Sequence, residues 1–269
     1  MRSFDYIESG KTLLTPHTTS LLAAIHEAKG RQSIQTTIRP DILGTLVAVA
    51  RIQSTDASNR IEGISTSDSR LNNLVSEKVT PRNRNEEEIA GYRDALSVIH
   101  ESHDYIPITP NVILQLHRDL FRHTPLTFAG HFKDSDNVII ERDAHGTSTV
   151  RFAPPSALVT PELIERACSA YTQAIRDGHT DPLLAIAMFI LDFTCIHPFN
   201  DGNGRMSRLL TLLMLCRNGY MVGKYISIEH LIEQSKSTYY EALAASTQGW
   251  DDNANDCLLY TSPSPRDCS

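Results

Sequence analysis

The sequence predicts an all-α protein with one short β-hairpin, on three observations. Apolar residues recur at helical spacing through most of the chain. Two strongly apolar stretches, 183–196 and 209–216, bracket a polar, glycine-rich run. One pair of β-prone segments, Val138-Ile139-Ile140 and 147–152, interrupts the helical pattern.

Taken in order, residues 18–29 and 41–51 read as helices, with Pro40 placed at a helix start, where its missing N–H costs nothing. The second of these runs on through 61 and stops at Gly63. Segment 86–100 puts Ile89, Tyr92, Leu96 and Ile99 on one face and opens with Glu86, Glu87 and Glu88, which suit the positive end of a helix dipole. Thr109-Pro110 supplies a cap and a first-turn proline for a helix over 111–121. The hairpin is expected around Asp143-Ala144-His145-Gly146. Stretch 183–196 contains Asp192 and is too short to span a bilayer, so it reads as a central helix buried on most sides. The run after it is a loop that opens the helix over 209–216, and Tyr239 and Tyr240 lie on a further helix.

A chain of 269 residues buries a sizeable core as one large domain or two small ones. A net charge of −7 and a pI near 5.9 argue against a nucleic-acid surface as the main function, and no membrane partner is expected. The first residues are polar and lack an apolar signal core. Cys168, Cys195 and Cys216 sit in apolar helical contexts without metal or redox spacing, so they read as reduced core residues of a cytoplasmic protein. His100, His103, His117 and His123 follow no ligand spacing. The last segment, 257–269, breaks with what precedes it and carries two of the five cysteines. It resembles the conceptual translation of a transposase adapter used in preparing sequencing libraries. It is therefore set aside as non-native, with the native chain expected to continue beyond Asp256. Read as native, its Ser/Pro-rich stretch is a disordered tail.

The chemistry is concentrated in Ile196-His197-Pro198-Phe199-Asn200-Asp201-Gly202-Asn203-Gly204-Arg205-Met206-Ser207-Arg208. A loop entering a helix N-terminus presents unpaired N–H groups and the positive end of the dipole to anions. Gly202 and Gly204 allow close approach of a phosphate, and Asn203 is a good capping residue type. Arg205 and Arg208, three apart, share a helix face and can address one polyphosphate. Asp201 offers a hard oxygen for Mg²⁺, and His197 can accept a proton near neutral pH. Phosphoryl or nucleotidyl transfer is the chemistry implied. A His-Pro pair ends helices and Asn-Gly pairs mark turns, but neither reading accounts for the arginines that follow.

Residues 197–208 resemble the full signature of the Fic (fido-fold) family, H-x-F-x-D/E-G-N-G-R-x-x-R. The resemblance implies a fido fold and transfer of AMP from ATP to a Ser, Thr or Tyr hydroxyl of a target protein, which can be the chain itself. It makes His197 the base and Asp201 the Mg²⁺ ligand. It assigns the anion hole to Gly202, Asn203 and Gly204, the β-phosphate to Arg205 and the γ-phosphate to Arg208. Ser58-Asn59-Arg60-Ile61-Glu62-Gly63 resembles the S/T-x-x-x-E-G/N inhibitory motif, so Glu62, helped by Ser58, is expected to hold Arg208 away from ATP. Some relatives also use this glutamate in removing AMP. The flap formed by Val138, Ile139 and Ile140 would dock a target peptide by strand addition. Tyr239 and Tyr240 stand where relatives line the nucleoside pocket. Departures are Lys133, where relatives carry arginine and a looser pairing is expected, and Thr247, where some carry asparagine.

The implied organisation is an N-terminal helical region over 1–105, a catalytic core over 106–256 and the tail. A homodimer through helical faces is common among relatives. Two other readings stay open: a transferase using another nucleotide or diphosphate donor, and a catalytically silent regulatory protein whose missing C-terminal portion binds DNA or a partner. A glycine at Gly204 disfavours the kinase-like variant of the family, which has lysine there.

Overall fold

The computed structural model describes residues 2–38, 40–142 and 148–253. The helices in chain order are α1 (Tyr6–Thr12), α2 (Pro16–Ile38), α3 (Pro40–Ile61), α4 (Asp68–Val75), α5 (Arg84–Ser102) and α6 (Pro110–Leu120). After strands β1 (Ile139–Arg142) and β2 (Ser148–Phe152) come α7 (Thr160–Asp177), α8 (Pro182–Ile196), α9 (Asn203–Arg217), α10 (Val222–Tyr225), α11 (Ile228–Gln234) and α12 (Lys236–Thr247). The all-α class with a single hairpin is observed. Among the described residues the strands form one antiparallel pair, with Ile140 opposite Val150, Arg142 opposite Ser148 and a register irregularity between Ile139 and Ile140. Val138 precedes β1 rather than belonging to it. The expected turn at 143–146 and the tail 257–269 lie outside the described residues. Among the described residues no helix is long and apolar enough to cross a membrane.

Local chemistry sets the helix starts. The Asn83 side chain accepts the Glu86 N–H at 3.0 Å and opens α5 two residues earlier than the apolar pattern indicates. Thr109 Oγ1 accepts the Val112 N–H, with Pro110 in the first turn of α6. The Asp181 carboxylate accepts the Leu183 N–H at 2.8 Å at the head of α8. Two compact units result, interleaved in sequence.

The first unit comprises, among the described residues, 2–13, 132–142, 148–203 and 235–253. Its centre is α8, which is buried along most of its length and packs with α7, α1 and α12. Asp192 is wholly buried there and accepts from Arg2 Nε at 3.1 Å, Tyr6 Oη at 2.7 Å and Trp250 Nε1 at 2.6 Å. A buried carboxylate is tolerated when it is paired and hydrogen-bonded in this way. Burial pushes its carboxyl above the usual range, while Arg2 and the hydrogen bonds pull the other way. Cys168 and Cys195 are buried thiols of this unit, and burial raises the Cys168 thiol to about 12.

The second unit comprises 14–131 and 204–234. Helix α3 packs with α5, α10 and α11, while α5 packs with α6 and α4. Gly91 allows the α5–α6 approach, since a Cβ there would lie 1.9 Å from the Leu120 carbonyl oxygen. Cys216 is buried here. So is His117, whose Nδ1 accepts the Gly130 N–H at 2.9 Å.

Candidate active site

The run 197–208 passes from the first unit into the second just after Asn203. Within the first unit, α8 ends at Ile196 and His197 takes left-handed backbone angles, φ 50° and ψ 62°, with its N–H bonded to the Phe193 carbonyl at 3.0 Å. Few non-glycine residues adopt this conformation. Phe199 is fully buried, stacked 5.9 Å from Phe132 and tilted 6.3 Å from Phe193. It anchors the loop in the core. Asn203 clasps the same residue, accepting the Phe199 N–H at 2.9 Å and donating to the Phe199 carbonyl at 2.8 Å. Gly202 sits at φ 84°, and its N–H bonds Asp201 Oδ1 at 2.6 Å.

Segment 133–137 supports the loop from one side, a role with no signal in the sequence. Lys133 is almost fully buried, and its ammonium donates to Ile196 O at 3.1 Å and Asn137 Oδ1 at 3.0 Å. The ammonium thus serves two acceptors at once. Burial pushes the Lys133 ammonium down to about 8, opposed by the Asp136 carboxylate. Asn200 Nδ2 donates to Asp134 at 3.2 Å and holds that carboxyl below its ordinary range.

Within the second unit, Gly204, Arg205 and Arg208 occupy the first turns of α9. Glu62 caps the end of α3: Gly63 N–H bonds Arg60 O at 2.9 Å and Ile64 N–H bonds Asn59 O at 3.0 Å, with Gly63 at φ 78°. This is a Schellman ending, and it aims the Glu62 side chain off the helix terminus. Glu62 Oε1 accepts from Arg208 Nη2 at 2.7 Å. Ser58 accepts twice from the same guanidinium, through Oγ at 2.8 Å and its carbonyl at 2.9 Å. A Cβ on Gly204 would lie 2.2 Å from Glu62 Oε1, so the carboxylate rests against the opening turn of α9, where an anion is favoured. Behind Ser58 lies Tyr92, whose hydroxyl donates to the buried Glu229 at 3.0 Å. Burial, reinforced by Glu229, holds the Tyr92 phenol well above its ordinary range.

The two arginines differ in surroundings. Arg205 is 1% exposed, pairs with the buried Glu88 at 2.6 Å and lies 5.0 Å from the Phe121 ring centroid. Arg208 pairs with a Glu62 side chain that is 33% exposed. The structure thus brings Ser58, Glu62, Gly204 and Arg208 together, and it commits Arg205 to α5.

In the first unit, Val138 is 52% exposed, and β2 is tied to α12 by Arg151 Nη2 donating to Tyr240 O at 2.8 Å. Tyr239 and Tyr240 are half-buried and meet edge to face, with centroids 5.4 Å apart. Thr247 turns its hydroxyl onto the Ala244 carbonyl at 2.7 Å. Among the described residues no group of three or more His, Cys, Asp or Glu is gathered for a metal. The single carboxylate of Asp201 fits Mg²⁺, which takes one or two protein carboxylates and completes its shell with water and substrate phosphates.

Residues 107–215 match the Fic/DOC family. The chain is 37% identical over 90 residues to a fido domain-containing protein of Dictyostelium discoideum, covering 32% of this chain and 58% of that one. It is 28% identical over 145 residues to a protein adenylyltransferase of Caenorhabditis elegans, covering 51% of this chain and 25% of the relative. With a protein adenylyltransferase of Nematostella vectensis the identity is 24% over 202 residues, 71% of this chain and 42% of the other. This chain thus spans between a quarter and three fifths of the length of those relatives. The fold is similar to the crystal structure of a Fic domain-containing signaling protein from Bacteroides thetaiotaomicron, with a TM-score of 0.71 at 22% identity, covering 89% of this chain and 88% of that one. A Fic family protein from Desulfovibrio desulfuricans gives a TM-score of 0.72 at 24% identity, covering 92% and 70%.

Proposed function

We propose that this chain, whose residues 107–215 match the Fic/DOC family, is a protein adenylyltransferase that moves AMP from ATP to a protein hydroxyl and is held in check by Glu62. The observation that carries this reading is the uninterrupted run 197–208 inside the matched segment. It supplies a base, an oxygen ligand, a glycine-lined helix N-terminus and an arginine fork within twelve residues. Support also comes from the relatives named as protein adenylyltransferases.

In this reading His197 takes the proton of a Ser, Thr or Tyr hydroxyl on the target. That oxygen attacks the α-phosphorus in line, the bond to the β-phosphate bridging oxygen breaks, and pyrophosphate leaves. Asp201 would hold Mg²⁺, which neutralises phosphate charge when bound. The N–H groups of the opening turn of α9 face the phosphates, and the Arg208 fork receives the γ-phosphate. Little covalent chemistry is required of the protein, so positioning and electrostatics supply most of the rate.

Regulation follows from the arginine end. The Glu62 carboxylate lies 2.7 Å from Arg208 and against Gly204, so it fills space that a phosphate would need. The Arg208 guanidinium is buried and the Glu62 carboxylate is a third exposed, so the carboxylate stays within reach of a competing anion. Its effect is therefore one of occupancy, reversible when Glu62 is withdrawn.

The test is intact-protein mass after incubation with ATP and Mg²⁺, for wild type, Glu62→Gly and Glu62→Gly/His197→Ala. Glu62→Gly is expected to gain AMP-sized increments, wild type few and the double variant none. A Glu62→Gly protein that is folded and binds ATP, yet stays unmodified, would overturn the reading.

A further inference from the structure

Segment 133–137 holds four successive carbonyls of the loop around His197. Lys133 Nζ donates to Ile196 O at 3.1 Å, and Asn137 Nδ2 reaches His197 O at 3.5 Å. The Lys133 N–H donates to Pro198 O at 2.8 Å, and Asn137 Nδ2 to Phe199 O at 3.2 Å. The two side chains are joined to each other, Lys133 Nζ to Asn137 Oδ1, at 3.0 Å. From this clamp we infer that Lys133 and Asn137 are positioning residues that hold the His197 imidazole where it can take the acceptor proton. The inference rests on the reading of His197 as the base.

The need for such a device lies in the backbone. His197 occupies the left-handed region at φ 50°, which costs a side-chain-bearing residue roughly 1–2 kcal/mol. A sparsely populated conformation persists only when its surroundings over-determine it. On one side His197 has the last helical bond, to Phe193 O. On the other, Phe199 is fixed by Asn203 and by aromatic packing. Between these anchors lies Pro198, whose ring fixes its own φ but not the ψ of His197, and a tilt of the 197–198 peptide plane would swing the imidazole. Donors on each of the carbonyls from 196 to 199 remove that freedom. The ammonium suits the task because it donates along several directions at once.

Lys133 and Asn137 touch neither ATP nor the acceptor in this scheme, so their loss should spare nucleotide binding. A displacement of about 1 Å at a reacting group can cost on the order of 100-fold in rate. Lys133→Met and Asn137→Ala are therefore expected to lower the AMP-transfer rate about 10- to 100-fold, with ATP affinity changed less than about twofold.

The experiment uses the full chain carrying Glu62→Gly. It follows transfer rate against ATP concentration, ATP affinity by equilibrium binding, and the His197 imidazole resonances by NMR, assigned through His197→Ala. Support consists of a lower rate at unchanged ATP affinity, a shifted His197 signal, and recovery of most of the rate in Lys133→Arg. Folded variants that keep the parental rate and His197 signal overturn the inference, as does a rate loss matched by an equal loss of ATP affinity. Should Lys133→Met fail to fold, Asn137→Ala decides by the same criteria, because it leaves the Lys133 bonds to Ile196 and Pro198 in place. If Glu62→Gly binds ATP but transfers no AMP, the adenylyl-transfer reading fails. The clamp is then judged by whether the His197 resonances move.

Discussion

The two ends of the run 197–208 are held by different kinds of force. Around His197 the loop is fixed through backbone carbonyls, the buried Phe199 and the clasp of Asn203. Around Arg208 the guanidinium is shared between Ser58, through hydroxyl and carbonyl, and the side chain of Glu62, and that last partner is a third exposed. Carbonyl bonds made by the buried Lys133 and the half-buried Asn137 present no charged group for an anion to displace. A partly solvated carboxylate on an arginine can be displaced by a better anion. The difference teaches that one short run can be tied down through its main chain at one end and through a partly solvated side-chain pair at the other. The same contrast recurs within one helix, where Arg205 is sealed against Glu88 and Arg208, three residues on, faces a displaceable partner.

The largest effect that would break this comparison concerns Arg205. Arg205→Met would leave Glu88 buried with one charged partner fewer, a change that typically costs about 3–5 kcal/mol. Urea unfolding should show that loss, whereas Arg208→Met should cost markedly less. Equal losses would erase the distinction between the two arginines. Next in size is the support behind Ser58. Tyr92→Phe removes the donor to Glu229 and is expected to cost about 1–2 kcal/mol. Because Ser58 orients Arg208, the variant should also raise the KM for ATP in a Glu62→Gly background, and a stability loss with unchanged KM would confine Tyr92 to the fold.

Gly63→Ala should cost about 1 kcal/mol, since the position needs φ 78°. By disturbing the helix ending that aims Glu62, it should raise AMP incorporation above wild type in the mass assay. No rise would mean that Glu62 is seated by Arg208 alone.

The smallest effects sharpen the comparison through pH. Glu86, in the second unit, is held down to about 2 first by its hydrogen bond from Arg70, joined by the Arg82 N–H and Thr66. Its folded value is lowered, so its stabilisation is present above the ordinary value near 4.5 and is lost as pH falls toward 2. The stability gap between wild type and Glu86→Gln should therefore shrink over that range in thermal melts. Lys133, lowered to about 8, behaves oppositely. Its buried ammonium costs stability fully below pH 8, and the cost is relieved as pH rises from about 8 toward the ordinary 10.5. Wild type should gain on Lys133→Met across that window. A flat difference would mean that the ammonium is better solvated than its burial indicates.

Several features were legible because they are written locally. Thr109-Pro110 opens α6, Gly63 ends α3 and the apolar stretch 183–196 becomes the buried α8, each from residues within a turn or two of one another. Short or weakly patterned elements such as α1, α4 and α10 were not legible, because a few residues carry too little periodicity. At the hairpin, the two β-prone runs located the strand pair but placed Val138 inside β1, whereas pairing begins at Ile139. Strand ends depend on the partner's register, which neither strand encodes alone.

By itself the sequence determined the helical class, the loop-to-helix character of 197–208, the residue types available for phosphate chemistry and the presence of Glu62 at a helix end. Those properties rest on propensity, capping and spacing, which act over a few residues. Only the tertiary structure decided which charges meet. It set Ser58 against Arg208 across 150 residues of sequence, sent Arg205 to Glu88 rather than to solvent, and laid Lys133 and Asn137 beneath the His197 loop. The physical reason is that a hydrogen bond or ion pair in a packed interior depends on the position of a distant backbone to within a fraction of an ångström. That position is fixed by close packing of the whole unit, not by the local run of residues.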